Sequence, residues 1–213
     1  MIRRATYSIR HFGRDSEGTT LVELAIVLPL FLLIFFGLID FGRMGAEFVM
    51  AEKAIQRAAR IAAVRPPACA GVPAVNVRGV VDPNAVPPKF GTMCSAGANT
   101  CSSPATVTCT GSLADPTTAE IWASISAMMP STATPANLSF SYANDPALGF
   151  LGGPYVPIVT VEIQNLVFQF TSPLGGLAAL AGSTNTDVPG PNLPFPATSI
   201  SLPAEDLAHG NSG

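Results

Sequence analysis

The feature that most constrains this chain is the run Leu24–Ile39, sixteen residues with no charge and almost wholly apolar side chains. With Thr19–Val22 before it, the run spans twenty-one residues interrupted only by Glu23. As a helix at 1.5 Å per residue it is about 31 Å long, enough to cross the hydrocarbon core of a bilayer. The alternative is a helix buried in a large soluble core, but the rest of the chain offers little to surround it. Pro29 lies inside the run, where it removes one helical hydrogen bond and is expected to kink the helix. A small residue, Gly18, stands at the polar side of the boundary, and Glu23 follows five residues later.

The flanks suggest what the segment is for. Residues 1–18 carry Arg3, Arg4, Arg10 and Arg14, partly offset by Asp15 and Glu17. A secretory signal would place its cleavage site beyond the apolar core, after small residues. Here Asp40, Phe41, Gly42 and Arg43 follow instead, so the core is read as retained, with any cleavage before it, after Gly18. The arginines of the leader bias the N-terminus toward the cytoplasm. That bias is modest, because Arg43, Lys53 and Arg57 lie on the other side. The cysteines and the loop-rich remainder, which suit an exported domain, favour the same orientation.

Beyond the span, Phe41, Met44, Phe48, Ala51, Ile55, Ala58 and Ala62 recur at intervals of three and four, which places them on one helix face. Lys53, Arg57 and Arg60 share another face, Asp40 and Arg43 are spaced to pair, and Pro66-Pro67 ends the helix. Span and extension together predict one helix of about 46 residues, roughly 70 Å long. The stripe can pack against the chain's own distal domain, against related helices in a bundle, or against both at different heights.

The organisation predicted is a leader over residues 1–18, a transmembrane helix over 19–39, an amphipathic extension over 40–65 and an exported domain over 66–213. The fold class is α+β. Strand candidates are Val75–Val81, Thr106–Cys109, Leu138–Tyr142, Tyr155–Phe170 and Ser199–Leu202. In Tyr155–Phe170 the apolar residues switch from odd positions (Val159, Val161, Ile163) to even ones (Leu166, Phe168, Phe170), which predicts a bulge or break at Gln164-Asn165. Asp115-Pro116 reads as the cap and first residue of a helix with Ile121, Ile125 and Met128 or Met129 on its apolar face. Leu174–Ala181 reads as another short helix.

Four cysteines, Cys69, Cys94, Cys101 and Cys109, all follow the apolar run. Clustered in a Pro- and Gly-rich stretch, they suit disulfides in an oxidising compartment, and three pairings are possible. Zinc is disfavoured, because no Cys-x-x-Cys occurs and His11 and His209 are remote.

The net charge of −3 hides an asymmetry. Residues 66–213 hold two basic and eight acidic side chains, which disfavours nucleic acid as a partner. No phosphate-binding loop, dinucleotide fingerprint, metalloprotease motif or nucleophile elbow is present. The sequence implies no catalytic residue, cofactor or metal.

Gly18-Thr-Thr-Leu-Val-Glu23 resembles the class III signal of type IV pilins and pseudopilins. Its continuation, Val22–Pro29 and then Gly37-Leu-Ile-Asp-Phe-Gly-Arg43, resembles TadE-like minor pseudopilins of the tight-adherence (Flp, type IVc) pilus system. The resemblance covers residues 14–65 and departs at Thr19 and Leu24, where phenylalanine is commoner. It implies cleavage after Gly18 by a prepilin peptidase, leaving Thr19 as the new N-terminus and the apolar helix in the inner membrane. It implies partners as well: that peptidase, other pilin or pseudopilin subunits packing through the N-terminal helix, inner-membrane assembly proteins and the lipid bilayer. The domain beyond the helix would then be periplasmic or carried into an extracellular pilus. Glu23, one helical turn past the new amine, is placed to pair with the Thr19 amine of a neighbouring subunit, or else to reach interfacial water. A second functional class remains open: an uncleaved single-span protein whose exported domain binds a partner or ligand.

Overall fold

The computed structural model describes residues 19–80, 82–84, 86–169, 192–205 and 207. The chain divides into two compact units, Met1–Met44 with Phe170–Pro191, and Gly45–Gln169 with Asn192–Gly213. Helix α1, Thr19–Val64, runs from the first into the second as one 46-residue element, with Pro29 inside it. Its length matches the expectation, for the reason anticipated: no glycine pair or further proline interrupts the chain before Pro66. The Arg65 amide still donates to Ile61 O at 3.0 Å, and Pro66, which has no N–H, ends the ladder.

In the second unit the helix buries Ala51, Ala54, Ile55, Ala58, Ala59, Ala62 and Ala63. The predicted stripe therefore holds from Ala51 onward. Phe41, at the start of the stripe, is exposed in the single chain. A run of alanines lets whatever packs over the helix come close, and this unit's core supplies that cover. Four strands, β1 Val107–Thr110, β2 Leu138–Ala143, β3 Ile158–Ile163 and β6 Ser199–Pro203, form an antiparallel sheet. They lie side by side in the order β1-β2-β3-β6. Leu138, Phe140, Tyr142, Val159, Val161 and Ile163 are buried on one face. Ser139, Ser141, Thr160 and Glu162, at alternating positions of the same strands, point the other way. One buried and one wet face is the usual arrangement of an antiparallel sheet.

The parity switch occurs where the sequence placed it. β3 ends at Ile163, and β4, Val167–Gln169, starts a second, two-stranded sheet with β5, Asn192–Pro194. Asn165 takes a left-handed backbone with φ 54°, a conformation that asparagine tolerates better than most residues. Asn137 holds the break: its Nδ2 donates to Gln164 O and Asn165 O, both at 3.1 Å, and its Oδ1 accepts from the Thr134 amide at 2.8 Å. Past the break, Leu166 and Phe168 again face inward.

The outer strand β6 is protected by composition. Ile163 N donates to Thr198 O and Ala204 N to Pro157 O, so the even-numbered residues of this strand bond β3. Pro203 therefore turns its donor-less nitrogen outward, where a proline costs no ladder bond and discourages further pairing.

Helix α2, Pro116–Ile125, forms as expected. Asp115 caps it, accepting from Thr118 N at 2.7 Å, and Ile121 and Ile125 are buried. Val75–Val81 is a correction. Its described part makes only an isolated bridge, Val75 with Pro154, in place of a strand. Its backbone bonds go to the turn at Gly152–Tyr155 and to Ser102, and buried Asn76 adds a side-chain bond to Pro154 O at 2.9 Å. The helix expected at Leu174–Ala181 lies outside the described residues.

Two cross-links tie the exit of α1 to the sheet. Cys69 bonds Cys109 of β1, and the Ala68 amide donates to Tyr142 Oη at 2.9 Å. Burial raises the Tyr142 pKa. The Ala68 hydrogen bond offsets part of that, and the Asp115 charge adds to it. A phenol whose folded pKa lies above its ordinary value of about 10 keeps its proton longer in the native state than in the unfolded one. Its contribution to stability is therefore complete below pH ~10 and is lost as pH rises beyond it. Tyr142→Phe is expected to narrow the difference between urea midpoints at pH 8 and pH 11, while costing about 1 kcal/mol at pH 8 for the lost acceptor. An unchanged difference would show that Tyr142 carries none of the alkaline dependence.

Candidate functional site: the apolar helix and its polar residues

The sequence-derived site residues lie along the first half of α1. Gly18 falls outside the described residues, and Thr19 is the first described residue of the helix. Glu23 is exposed on its second turn. It lies one turn beyond Thr19. Pro29 sits within continuous helix, one turn beyond Ala25, whose carbonyl loses its amide partner to the proline ring.

From Leu21 to Ile39 nearly every large apolar side chain is exposed, Leu38 at 74%. Phe31 stacks on Phe35 at 5.9 Å between ring centroids, and Phe35 meets Phe36 edge-on at the same distance. Such a surface is unfavourable in water by about 25 cal/mol per Å². Among the described residues α1 is the helix long and apolar enough to cross a membrane. The chain is thus compatible with a single-pass membrane protein.

The polar residues at the end of the apolar run are placed differently from Glu23. Asp40 is buried, at 2% exposure, and Arg43 approaches it to 3.9 Å one turn on, as the spacing implied. At that distance the pair is an ion pair more than a hydrogen bond.

The four cysteines form two disulfides, Cys69–Cys109 and Cys94–Cys101. This pairing could not be chosen from sequence. It depends on β1 coming beside the α1 exit, and no local spacing reports that. Neither disulfide belongs to the helix site, and the described residues bring no group of three His, Cys, Asp or Glu side chains into a metal-binding arrangement. Sequence reasoning also missed Arg65, whose Nε and Nη2 both donate to Glu120 Oε1 at 3.2 and 3.0 Å. A pair separated by 55 residues has no periodic signature.

The family model for TadE-like proteins matches residues 18–63. Residues 18–63 are thus similar to TadE-like proteins. The matched segment opens on Gly18 and closes one residue before the end of α1. The TadE-like segment thus contains Glu23, Pro29, Asp40 and Arg43, and stops before the disulfide-bonded domain begins. No curated protein and no solved structure matches the chain. The similarity is confined to that segment, and the domain after it is described by its own structure alone.

Proposed function

We propose that this chain is a minor pilin or pseudopilin of a tight-adherence (Flp) type IV pilus, cleaved after Gly18 by a prepilin peptidase. The observation that carries the reading is the TadE-like match, which begins at the proposed cleavage glycine and covers the apolar helix. The exposed apolar surface of α1 supports it, since both a bilayer and a bundle of like helices cover such a face. The length supports a minor role: cleavage leaves 213 − 18 = 195 residues, a subunit dominated by its distal domain.

In this reading residues 19–39 hold the subunit in the inner membrane, with the distal domain on the periplasmic side until extraction into, or initiation of, a pilus. The partners are the peptidase, other pilin subunits and the inner-membrane assembly proteins. Glu23 pairs with the Thr19 amine of an adjacent subunit. A carboxylate in a low-dielectric helix bundle is costly without a cation, and a new α-amine is the nearest one the processing creates. Glu23→Ala is expected to reduce recovery of the protein in sheared filaments at least tenfold while leaving its membrane level unchanged. Equal recovery of variant and wild type would remove Glu23 from assembly.

A further inference from the structure

The second unit carries a feature on which the proposed function does not draw. A recess of about 260 Å³ opens between the loop Cys94–Cys101 and the segment Asn144–Leu148. Its wall includes Asn99, Ser102, Ser103, Asn144 and Asp145. The loop is closed by the Cys94–Cys101 disulfide, and the two walls are joined by Cys94 N donating to Gly149 O at 3.2 Å and by the bridge between Met93 and Phe150. The recess is therefore built by covalent and backbone bonds before any ligand arrives, which lowers the ordering cost of binding.

Its chemistry is selective. The lining holds amides, hydroxyls and backbone groups around one formal charge, Asp145. One Asp145 oxygen accepts from Ala147 N at 2.8 Å, which fixes the carboxylate and leaves its other oxygen as an acceptor. The residues lining the wall include no cation, so phosphates and carboxylates find no counter-charge there. A lone carboxylate is also a poor holder of a metal ion. What matches several neutral donors and acceptors beside one fixed carboxylate is a neutral polyol.

Part of the same wall is apolar: Pro146, Leu148 and the Cys94–Cys101 disulfide stand among the polar groups. A hexose presents hydroxyls at its rim and C–H groups on its faces. A wall that carries hydrogen-bonding and apolar side chains together meets both at once.

We infer that the recess between Cys94–Cys101 and Asn144–Leu148 is a binding site for a neutral hexose unit of a polysaccharide. The site is independent of the pilus reading, since an uncleaved membrane protein would carry it unchanged.

The test is saturation-transfer NMR on the full chain in a detergent without a sugar headgroup. The probes are neutral trisaccharides of glucose, mannose and N-acetylglucosamine at millimolar concentration. Transfer to at least one is expected. Ser103→Tyr, which fills the recess from an exposed position, is expected to abolish it, and Asn144→Ala, which removes a lining amide, to weaken affinity at least fivefold. Retention of the Cys94–Cys101 disulfide and of the circular dichroism spectrum shows that each variant is folded. No transfer to any probe, or transfer that survives Ser103→Tyr, overturns the assignment.

Discussion

A Cys69→Ser, Cys109→Ser double variant is expected to lose about 4 kcal/mol of folding stability, the loop-closure value for a link across 40 residues. The matching Cys94→Ser, Cys101→Ser variant opens a loop of only 7 and is expected to lose about 2.4 kcal/mol. The difference has a structural side as well as an entropic one. Cys69 lies just past the end of α1 and Cys109 in β1, so this bond fixes the helix exit against a sheet edge. The bonds that remain there are individually modest: Ala68 N to Tyr142 Oη, Thr117 Oγ1 to Pro66 O, and the solvent-exposed Arg65–Glu120 pair. A domain of this size has about 5–15 kcal/mol in total, so the double variant should be close to unfolding at 37 °C. Urea unfolding followed by Trp122, the single tryptophan, reports the unit directly. A loss no greater than that of the Cys94/Cys101 variant would contradict the assigned importance of the Cys69–Cys109 link.

Gly18→Arg is expected to have an all-or-none effect in cells that hold the cognate prepilin peptidase. If the peptidase selects glycine at the cut position, as the proposed function holds, the variant should accumulate as a precursor eighteen residues longer than the mature chain. It should remain in the membrane, because Leu24–Ile39 is untouched, and be absent from sheared filaments. Immunoblotting of membrane and filament fractions checks both. A Gly18→Arg protein of the same mass as wild type would favour the uncleaved single-span alternative.

What sequence revealed and what it hid divide along physical lines. α1 was legible because its signal is local and long: sixteen uncharged residues, then apolar positions every third or fourth residue, then two prolines. The break between β3 and β4 was legible because side chains alternate strictly along a strand. A parity change at Gln164-Asn165 would turn one apolar set to water unless the strand bulges or breaks there. Asp115-Pro116 announced α2 because cap and first-turn preferences act within four residues.

The misses were non-local or composed of weak signals. β5 is three residues, the last of them a proline, too short to show an alternation. Val75–Val81 had the composition of a strand, but Asn76 spends its side chain and backbone on the Gly153–Pro154 turn. Phe41 fits the helical period of the stripe and is exposed in the single chain, which leaves packing against other helices open. The period fixes a direction around the helix, and whether anything covers that direction at a given height depends on the rest of the fold. The disulfide pairing, the Arg65–Glu120 pair and the sugar-sized recess all join segments that no local pattern links. Within the helix site the residue types and spacings were readable, including the Asp40–Arg43 pair. The burial of Asp40 beside exposed Leu38 and Phe41 was not.

The central claim, that this is a processed TadE-like subunit, is tested most directly by N-terminal sequencing of the protein purified from membranes. The account predicts Thr-Thr-Leu-Val-Glu, beginning at Thr19, with an intact mass for 195 residues. A sequence beginning at Met1, with the mass of all 213, would contradict it.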